Sequence, residues 1–139
     1  TGSLTFERST LNRKQYANQG TFLNISLRYV NANEYTIPGS TSIDRRLEED
    51  YHDWFQFKIA YENYYKRKGW LKLGFYFEGA ASNIPFFANY TSTVLNAPSF
   101  NPIQETKTLF LPNFHSHIFA GGGLRNVIMI TSNLDLLNH

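Results

Sequence analysis

The sequence predicts an all-β protein, an antiparallel meander of about six strands that forms part of a transmembrane β-barrel. Apolar and polar residues alternate over several segments, and the connections between these segments alternate between short and long. Aromatic residues make up 17% of the chain, yet the mean hydropathy is −0.39, as expected when every second strand position carries a polar residue. A small soluble β-barrel is the alternative, because a period of two does not say which face meets water.

The first two predicted strands run from about Ser3 to Ser9 and from Gly20 to Asn31. In the second, large apolar residues alternate with Asn, Ser and Arg, which is the pattern of a strand with one apolar and one polar face. The polar segment from Thr10 to Gln19 joins them. A long loop from Ala32 to Tyr51 follows, and Pro38-Gly39 inside it is a strong turn signal.

Strands three and four are predicted from His52 to Tyr65 and from Trp70 to Ala80, joined by a tight hairpin at Arg67-Lys68-Gly69. Their large residues share one face, which would meet lipid or a core: Phe55, Phe57, Ile59, Tyr61, Leu71, Leu73, Phe75 and Phe77. Their charged residues share the other face, which would line a lumen: Lys58, Glu62, Lys72 and Glu78. These charges balance, so we interpret them as ion-paired filler rather than as an open pore.

A three-residue hairpin would place Lys58 opposite Glu78, and a slip of two residues would instead pair Glu62 with Lys72. Opposite charges meet on the wet face in either register. Both registers keep the two faces intact.

The last third of the chain begins with a long loop from Ala81 to Pro112, in which four prolines prevent continuous ladder pairing. Strand five is predicted from Asn113 to Gly122 and strand six from Leu124 to Leu136. The glycine run Gly121–Gly123 would weaken the end of strand five or mark a bulge.

The alternation of long and short connections indicates where in the cell the protein lies. The two long loops, at 32–51 and 81–112, would emerge from the same end of the sheet, with tight turns at the other end, and this asymmetry is typical of bacterial outer-membrane barrels. No stretch approaches the roughly 20 apolar residues of a transmembrane helix, whereas about 9 to 11 residues suffice for a spanning strand. We therefore expect a single 139-residue barrel unit in the bacterial outer membrane.

Composition excludes some kinds of functional site. The chain has no cysteine, so disulfides and thiolate metal sites are impossible, and its net charge of +2 gives no nucleic-acid signal. His115 and His117 stand two apart and are a possible metal pair, but a polar structural pair is the preferred interpretation. The charge run around His52, namely Glu48, Glu49, Asp50 and Asp53, reads as a solvated loop rather than a cation site. We expect no cofactor.

Four pieces of the sequence resemble the C-terminal outer-membrane barrel of Bacteroides-type patatin-like phospholipase-related proteins, in the surface-antigen or BamA-like barrel superfamily. They are TLNRKQYANQGT at Thr10–Thr21, PGSTS at Pro38–Ser42, FANYTSTVLNAPSFNP at Phe87–Pro102 and ETKTLFLPNF at Glu105–Phe114. The resemblance implies a membrane-embedded barrel of which this chain is one part. The superfamily's Arg-Gly-Phe/Tyr lumen-loop motif is not found here.

The expected role is that of a membrane anchor or translocation-type segment without catalysis of its own. The sequence contains no G-x-S-x-G, so the patatin nucleophile corresponds to no residue here. The alternative is a lipocalin-like barrel that binds an apolar ligand among Phe55, Phe57, Phe75 and Phe77.

Six strands are fewer than the eight of the smallest outer-membrane barrels. We therefore expect the first and last strands to pair with the remainder of a larger barrel or with a second copy, in contact with lipid or detergent. The start at Thr1-Gly2-Ser3, directly before a strand, likewise suggests a piece of a longer polypeptide.

Overall fold

The structure is a computed structural model. It describes residues 1–13, 17–37, 39, 48–65, 71–101, 110–131 and 134–138.

The described chain forms one antiparallel sheet in which six strands follow their order in the sequence. The strands are β1 (Gly2–Ser9), β2 (Gly20–Thr36), β3 (Glu48–Tyr65), β4 (Leu71–Ser82), β5 (Ile118–Thr131) and β6 (Leu134–Asn138). The predicted all-β class and meander are confirmed. β1 and β6 are the two edges of the sheet.

The described residues between β1 and β2 form a hydrogen-bonded segment. Asn12 organises it, since its side-chain amide donates to the Asn18 side-chain oxygen at 2.8 Å and its own side-chain oxygen accepts from the backbone N–H groups of Asn18 and Gln19. Gly20 opens β2 with φ of +107°. A Cβ there would lie 2.2 Å from the Thr10 carbonyl oxygen, so this position requires glycine.

The hairpin of β2 and β3 is longer than predicted. Pairing continues to Thr36 opposite Glu48, so the expected loop at 32–51 shortens to residues 37–47. The prediction was wrong because strand residues there are polar on both faces, which resembles a loop in sequence. Backbone pairing across the hairpin sustains this extension, and Ala32 also packs against buried Val30, Trp54 and Ile84.

The register of β3 and β4 also differs from both predicted alternatives. Ala60, not Lys58, stands opposite Glu78, and Tyr64 stands opposite Gly74. A Cβ on Gly74 would lie 2.6 Å from the Tyr64 ring, so the ring occupies the space that glycine leaves free. This aromatic-over-glycine fit accounts for the register, which charge pairing alone did not reveal. The turn predicted at 67–69 lies outside the described residues.

The glycine run does not end strand five. β5 begins only at Ile118 and passes through Gly121–Gly123 to Thr131, so the expected strands at Asn113–Gly122 and Leu124–Leu136 are wrong in their bounds. Residues Pro112–Phe114 form a short 3-10 turn instead. Glycine lowers strand propensity, but here the missing side chain at Gly121 makes room for the Phe100 ring.

The β4–β5 connection, residues 83–117, contains helix α1 (Tyr90–Asn96). The side-chain oxygen of Asn89 accepts from the Thr91 backbone N–H and caps the helix. Ser99 bridges to His115, which joins the two described parts of the connection. This connection and the β2–β3 turn emerge at the same end of the sheet, as the parity argument predicted.

Candidate functional site

The two faces of the sheet have the reverse of the usual polarity. We call polar face the side that bears Lys58, Glu62, Lys72 and Glu78, and apolar face the side that bears the predicted large residues from Phe55 to Phe77. Large residues of the apolar face are exposed to solvent: Leu4 is 75% exposed and Phe57 is 42% exposed. On the polar face, Glu78 is 2% exposed and Glu62 6%. In a soluble sheet the charged face would be the exposed one.

Two ion pairs lie on the polar face. The Lys58 ammonium lies 2.6 Å from a Glu78 carboxylate oxygen, and Arg125 lies 2.8 Å from Glu62 through Nη1 and Oε1. Arg125 is 5% exposed, and its guanidinium stands over the Tyr76 ring, 4.4 Å from the centroid. A buried charge is tolerated when it is paired and hydrogen-bonded. We call these five residues the charge network.

The network joins three strands in a way that the sequence did not reveal. β3 supplies Lys58 and Glu62, β4 supplies Tyr76 and Glu78, and β5 supplies Arg125. Arg125 stands opposite Gly74, and its side chain lies on the same face as those of Glu62 and Tyr76. Sequence analysis missed Arg125 because strand five was placed too early. The fourth predicted charged residue, Lys72, lies on the same face opposite Val127.

The β4–β5 connection covers this network. The Lys58 ammonium donates to the Ser99 carbonyl at 2.9 Å, and the Asn101 backbone N–H donates to Glu78 at 2.9 Å. The Tyr76 hydroxyl donates to Glu78 and also lies 3.0 Å from the Asn101 carbonyl oxygen. Lys58 and Glu78 therefore each have a backbone partner as well as a counter-ion.

Apolar contacts hold the connection in place at two points. Phe100 packs on Gly121 and meets the Phe119 ring edge-on at 5.6 Å between centroids. Nearer the loop end, Val30, Trp54 and Ile84 form a buried cluster. A mostly polar cavity of about 420 Å³ remains between the sheet and α1, and its walls include Arg28, Gln56 and Lys58.

His115 and His117, predicted to be a polar structural pair, both lie in the β4–β5 connection. His115 and His117 precede β5 rather than lying within it. His115 Nδ1 contacts the Ala97 carbonyl oxygen at 2.9 Å, and His117 packs against Phe86. No third metal-ligating side chain joins them in the part of the chain that the structure describes.

The charge run around His52 divides between the two faces. His52 and Asp50 lie on the polar side of the β2–β3 extension and converge there with Glu34 from β2, whereas Glu49 and Asp53 alternate to the other side. His52 Nε2 lies 2.9 Å from Glu34 Oε2, and this hydrogen bond lowers the pKa of Glu34. Sequence analysis missed Glu34 because the extension was predicted to be a loop.

Comparison of the chain with family models, with curated proteins and with solved structures finds no match. Within the residues that the structure describes, no helix has both the length and the apolar character needed to cross a membrane.

Proposed function

We propose that this chain is a wall segment of a transmembrane β-barrel in a bacterial outer membrane, where it serves as a membrane anchor and not as a catalyst. The observation that carries the proposal is the reversed polarity of the sheet. Paired charges are buried on one face while the aromatic and aliphatic residues of the other face are exposed. Lipid-facing apolar residues and lumen-facing polar residues produce this arrangement in a membrane barrel.

The dimensions of the apolar face support the same conclusion. Outward positions of β3 from Phe55 to Tyr65 cover a stretch of the length that a tilted membrane strand needs, about 9 to 11 residues. Tyr29 stands at one end of this band opposite Phe55, and Tyr65 stands at the other. Tyrosines at both borders match the aromatic girdles of membrane barrels. The β2–β3 extension then continues beyond the band at the loop end.

The filled polar face favours an anchor over an open channel. Ser99, Phe100 and Asn101 lie against the network, where water would stand in a conducting pore. Every charge of the network is compensated within the segment. The resemblance to patatin-related barrels fits this role, in which the barrel would hold an attached domain at the membrane.

The soluble lipocalin-like alternative has less support. Its ligand would lie among Phe55, Phe57, Phe75 and Phe77, yet the β4–β5 connection packs on the opposite face of the sheet. The walls of the cavity beneath α1 include Arg28, Gln56 and Lys58, whereas a pocket for an apolar ligand is lined mainly by apolar side chains. The open edges at β1 and β6 suit pairing with further strands of a larger barrel or with a second copy.

Single cysteines can test the membrane proposal, because the chain has none of its own. We would label Phe57→Cys, on the apolar face, and the matched control Gln56→Cys, on the polar face, with the same environment-sensitive fluorophore. Tyr51→Cys serves as a second control, since it lies on the extension beyond the band. The labelled proteins are then folded into vesicles whose lipids carry bromine in the acyl chains.

We expect acyl-chain bromine to quench the label at position 57 several-fold more strongly than the labels at positions 56 and 51. Bromine quenches only at short range, so the comparison reports which face touches hydrocarbon. Equal quenching at 56 and 57 would argue against the proposal. A folded monomer in plain buffer, with strand β1 paired to β6, would establish the soluble barrel instead.

A further inference from the structure

A cluster of metal-ligating side chains lies on the β2–β3 extension, beyond the apolar band and apart from the charge network. Glu34, Asp50 and His52 each offer one ligand atom, and these atoms lie within 4.8 Å of one another. The register explains the convergence. Glu34 stands directly opposite Asp50, and His52 follows two residues later on the same face.

The separations suit a small metal ion. Two ligands at about 2.1 Å from a tetrahedral Zn²⁺ stand roughly 3.4 Å apart. His52 Nε2 and Glu34 Oε2 are 2.9 Å apart, and the three ligand atoms all fall within 4.8 Å. Shifts of the ligand atoms by up to about an ångström would therefore allow all three to bind one ion.

Neighbouring residues hold two of the three ligands in position. The Phe87 ring meets the His52 ring edge-on at 4.8 Å between centroids. The Ala88 backbone N–H donates to Glu34 Oε1 at 3.0 Å, which leaves Oε2 directed at the imidazole. The side chains of Glu34 and His52 are each 14% exposed. Fixed outer contacts of this kind orient ligands in protein metal sites.

The ligand types select the class of metal. An imidazole nitrogen suits Zn²⁺ and its transition-metal neighbours, whereas Ca²⁺ and Mg²⁺ prefer sites made wholly of oxygen and Ca²⁺ needs six or more ligands. Three protein ligands with an open side match a four-coordinate Zn²⁺ that completes its shell with water. His52 would coordinate through Nε2 and carry its ring proton on Nδ1.

We propose that Glu34, Asp50 and His52 together bind one Zn²⁺ ion. The ion would bridge β2 and β3 beyond the membrane band and, through Glu34, tie them to the β4–β5 connection at Ala88. This inference does not depend on the membrane proposal, because none of the three residues lies in the apolar band.

The test is isothermal titration of the purified, folded protein with Zn²⁺ after removal of metal by a chelator. Variants of the three ligands are Glu34→Gln, Asp50→Asn and His52→Gln. Two controls match them in chemistry: Glu49→Gln removes an acidic neighbour on the other side of β3, and His115→Gln removes a histidine elsewhere. Circular dichroism verifies that each variant keeps its strand content.

We expect one Zn²⁺ per chain, at least a tenfold loss of affinity in each ligand variant and less than a twofold change in the controls. Equal loss in Glu49→Gln, no saturable binding in the unaltered protein, or preference for Ca²⁺ over Zn²⁺ would overturn the proposal. If His52→Gln fails to fold, Asp50→Asn decides the question, because Asp50 is exposed and its loss removes no buried contact. Visible absorption of bound Co²⁺ gives a second readout, and an unchanged spectrum in Asp50→Asn would likewise contradict the assignment.

Discussion

Breaking the pair of Glu62 and Arg125 should destabilise the fold more than any other single change in the charge network. Both residues are nearly buried, and their charged atoms are 2.8 Å apart. At an effective dielectric constant of about 20, the Coulomb attraction at this distance is roughly 6 kcal/mol, most of which offsets the cost of desolvating the two ions. Removing one partner leaves the other buried charge without its counter-ion and with the Tyr64 side chain as a remaining hydrogen-bond partner, at a cost of about 3–5 kcal/mol.

A double-mutant cycle measures this directly. We expect Glu62→Gln and Arg125→Met each to lower the free energy of unfolding by about 3–5 kcal/mol. The double variant should cost clearly less than the sum of the two, because it leaves no unpaired charge. Urea titration of the protein folded in lipid vesicles or detergent supplies the unfolding free energies.

The second pair serves as an internal comparison. Lys58→Met leaves Glu78 buried, yet the Tyr76 hydroxyl and the Asn101 N–H still donate to that carboxylate. The Lys58 side chain is also 29% exposed. We therefore expect Lys58→Met to cost less than Glu62→Gln. Single variants of the first pair that cost under about 1 kcal/mol and add without coupling would refute this account of the network.

Two glycine substitutions and one cap substitution follow from local geometry. Gly121→Ala should destabilise the fold by about 1–3 kcal/mol, because its Cβ would lie 2.7 Å from the Phe100 ring. Gly123→Ala, on the same face, is the control and should change little, because its Cβ would meet nothing within 4 Å. Thermal unfolding compares the two variants, and equal effects would contradict the packing of Phe100. Gly20→Ala should cost more than 1 kcal/mol because positive φ and the Thr10 carbonyl oppose a side chain, and Gly2→Ala, with open space around it, is the control in the same assay. Asn89→Ala should cost about 0.5–2 kcal/mol through loss of the α1 cap, seen as faster proteolysis of the β4–β5 connection than in Asn96→Ala.

The sequence predicted the fold class and the two faces because strand alternation is local information. Phe57 and Lys58 are adjacent, so pleating alone sends them to opposite sides. The parity of the connections is equally local, since it needs only the count of strands. These features survived errors in the strand bounds, because neither depends on where a strand begins or ends.

Register and tertiary contacts could not be predicted in the same way. The fit of Tyr64 over Gly74 and of Phe100 over Gly121 depends on shape across strands, and both glycines looked like weak points in the sequence. The partner of Glu62 could not be found because Arg125 lies more than sixty residues away, on a strand whose start was misplaced by the glycine run. The sequence did not indicate a role for Glu34 either, because polar residues on both faces made the hairpin extension resemble a loop.

The pairing of charges inside one segment constrains the rest of the proposed barrel. Glu62 and Glu78 are matched by Arg125 and Lys58, and the carbonyl of Ser99 takes a further donor from Lys58. Because these contacts satisfy the two buried ion pairs locally, strands added at the edges β1 and β6 need not bring counter-ions to these four residues. In the proposed barrel, the β4–β5 connection would then occupy lumen that those strands enclose, where Ser99 and Asn101 already contact the charge network. The two buried ion pairs therefore need no partner from the added strands, whereas the backbone groups of the two sheet edges do.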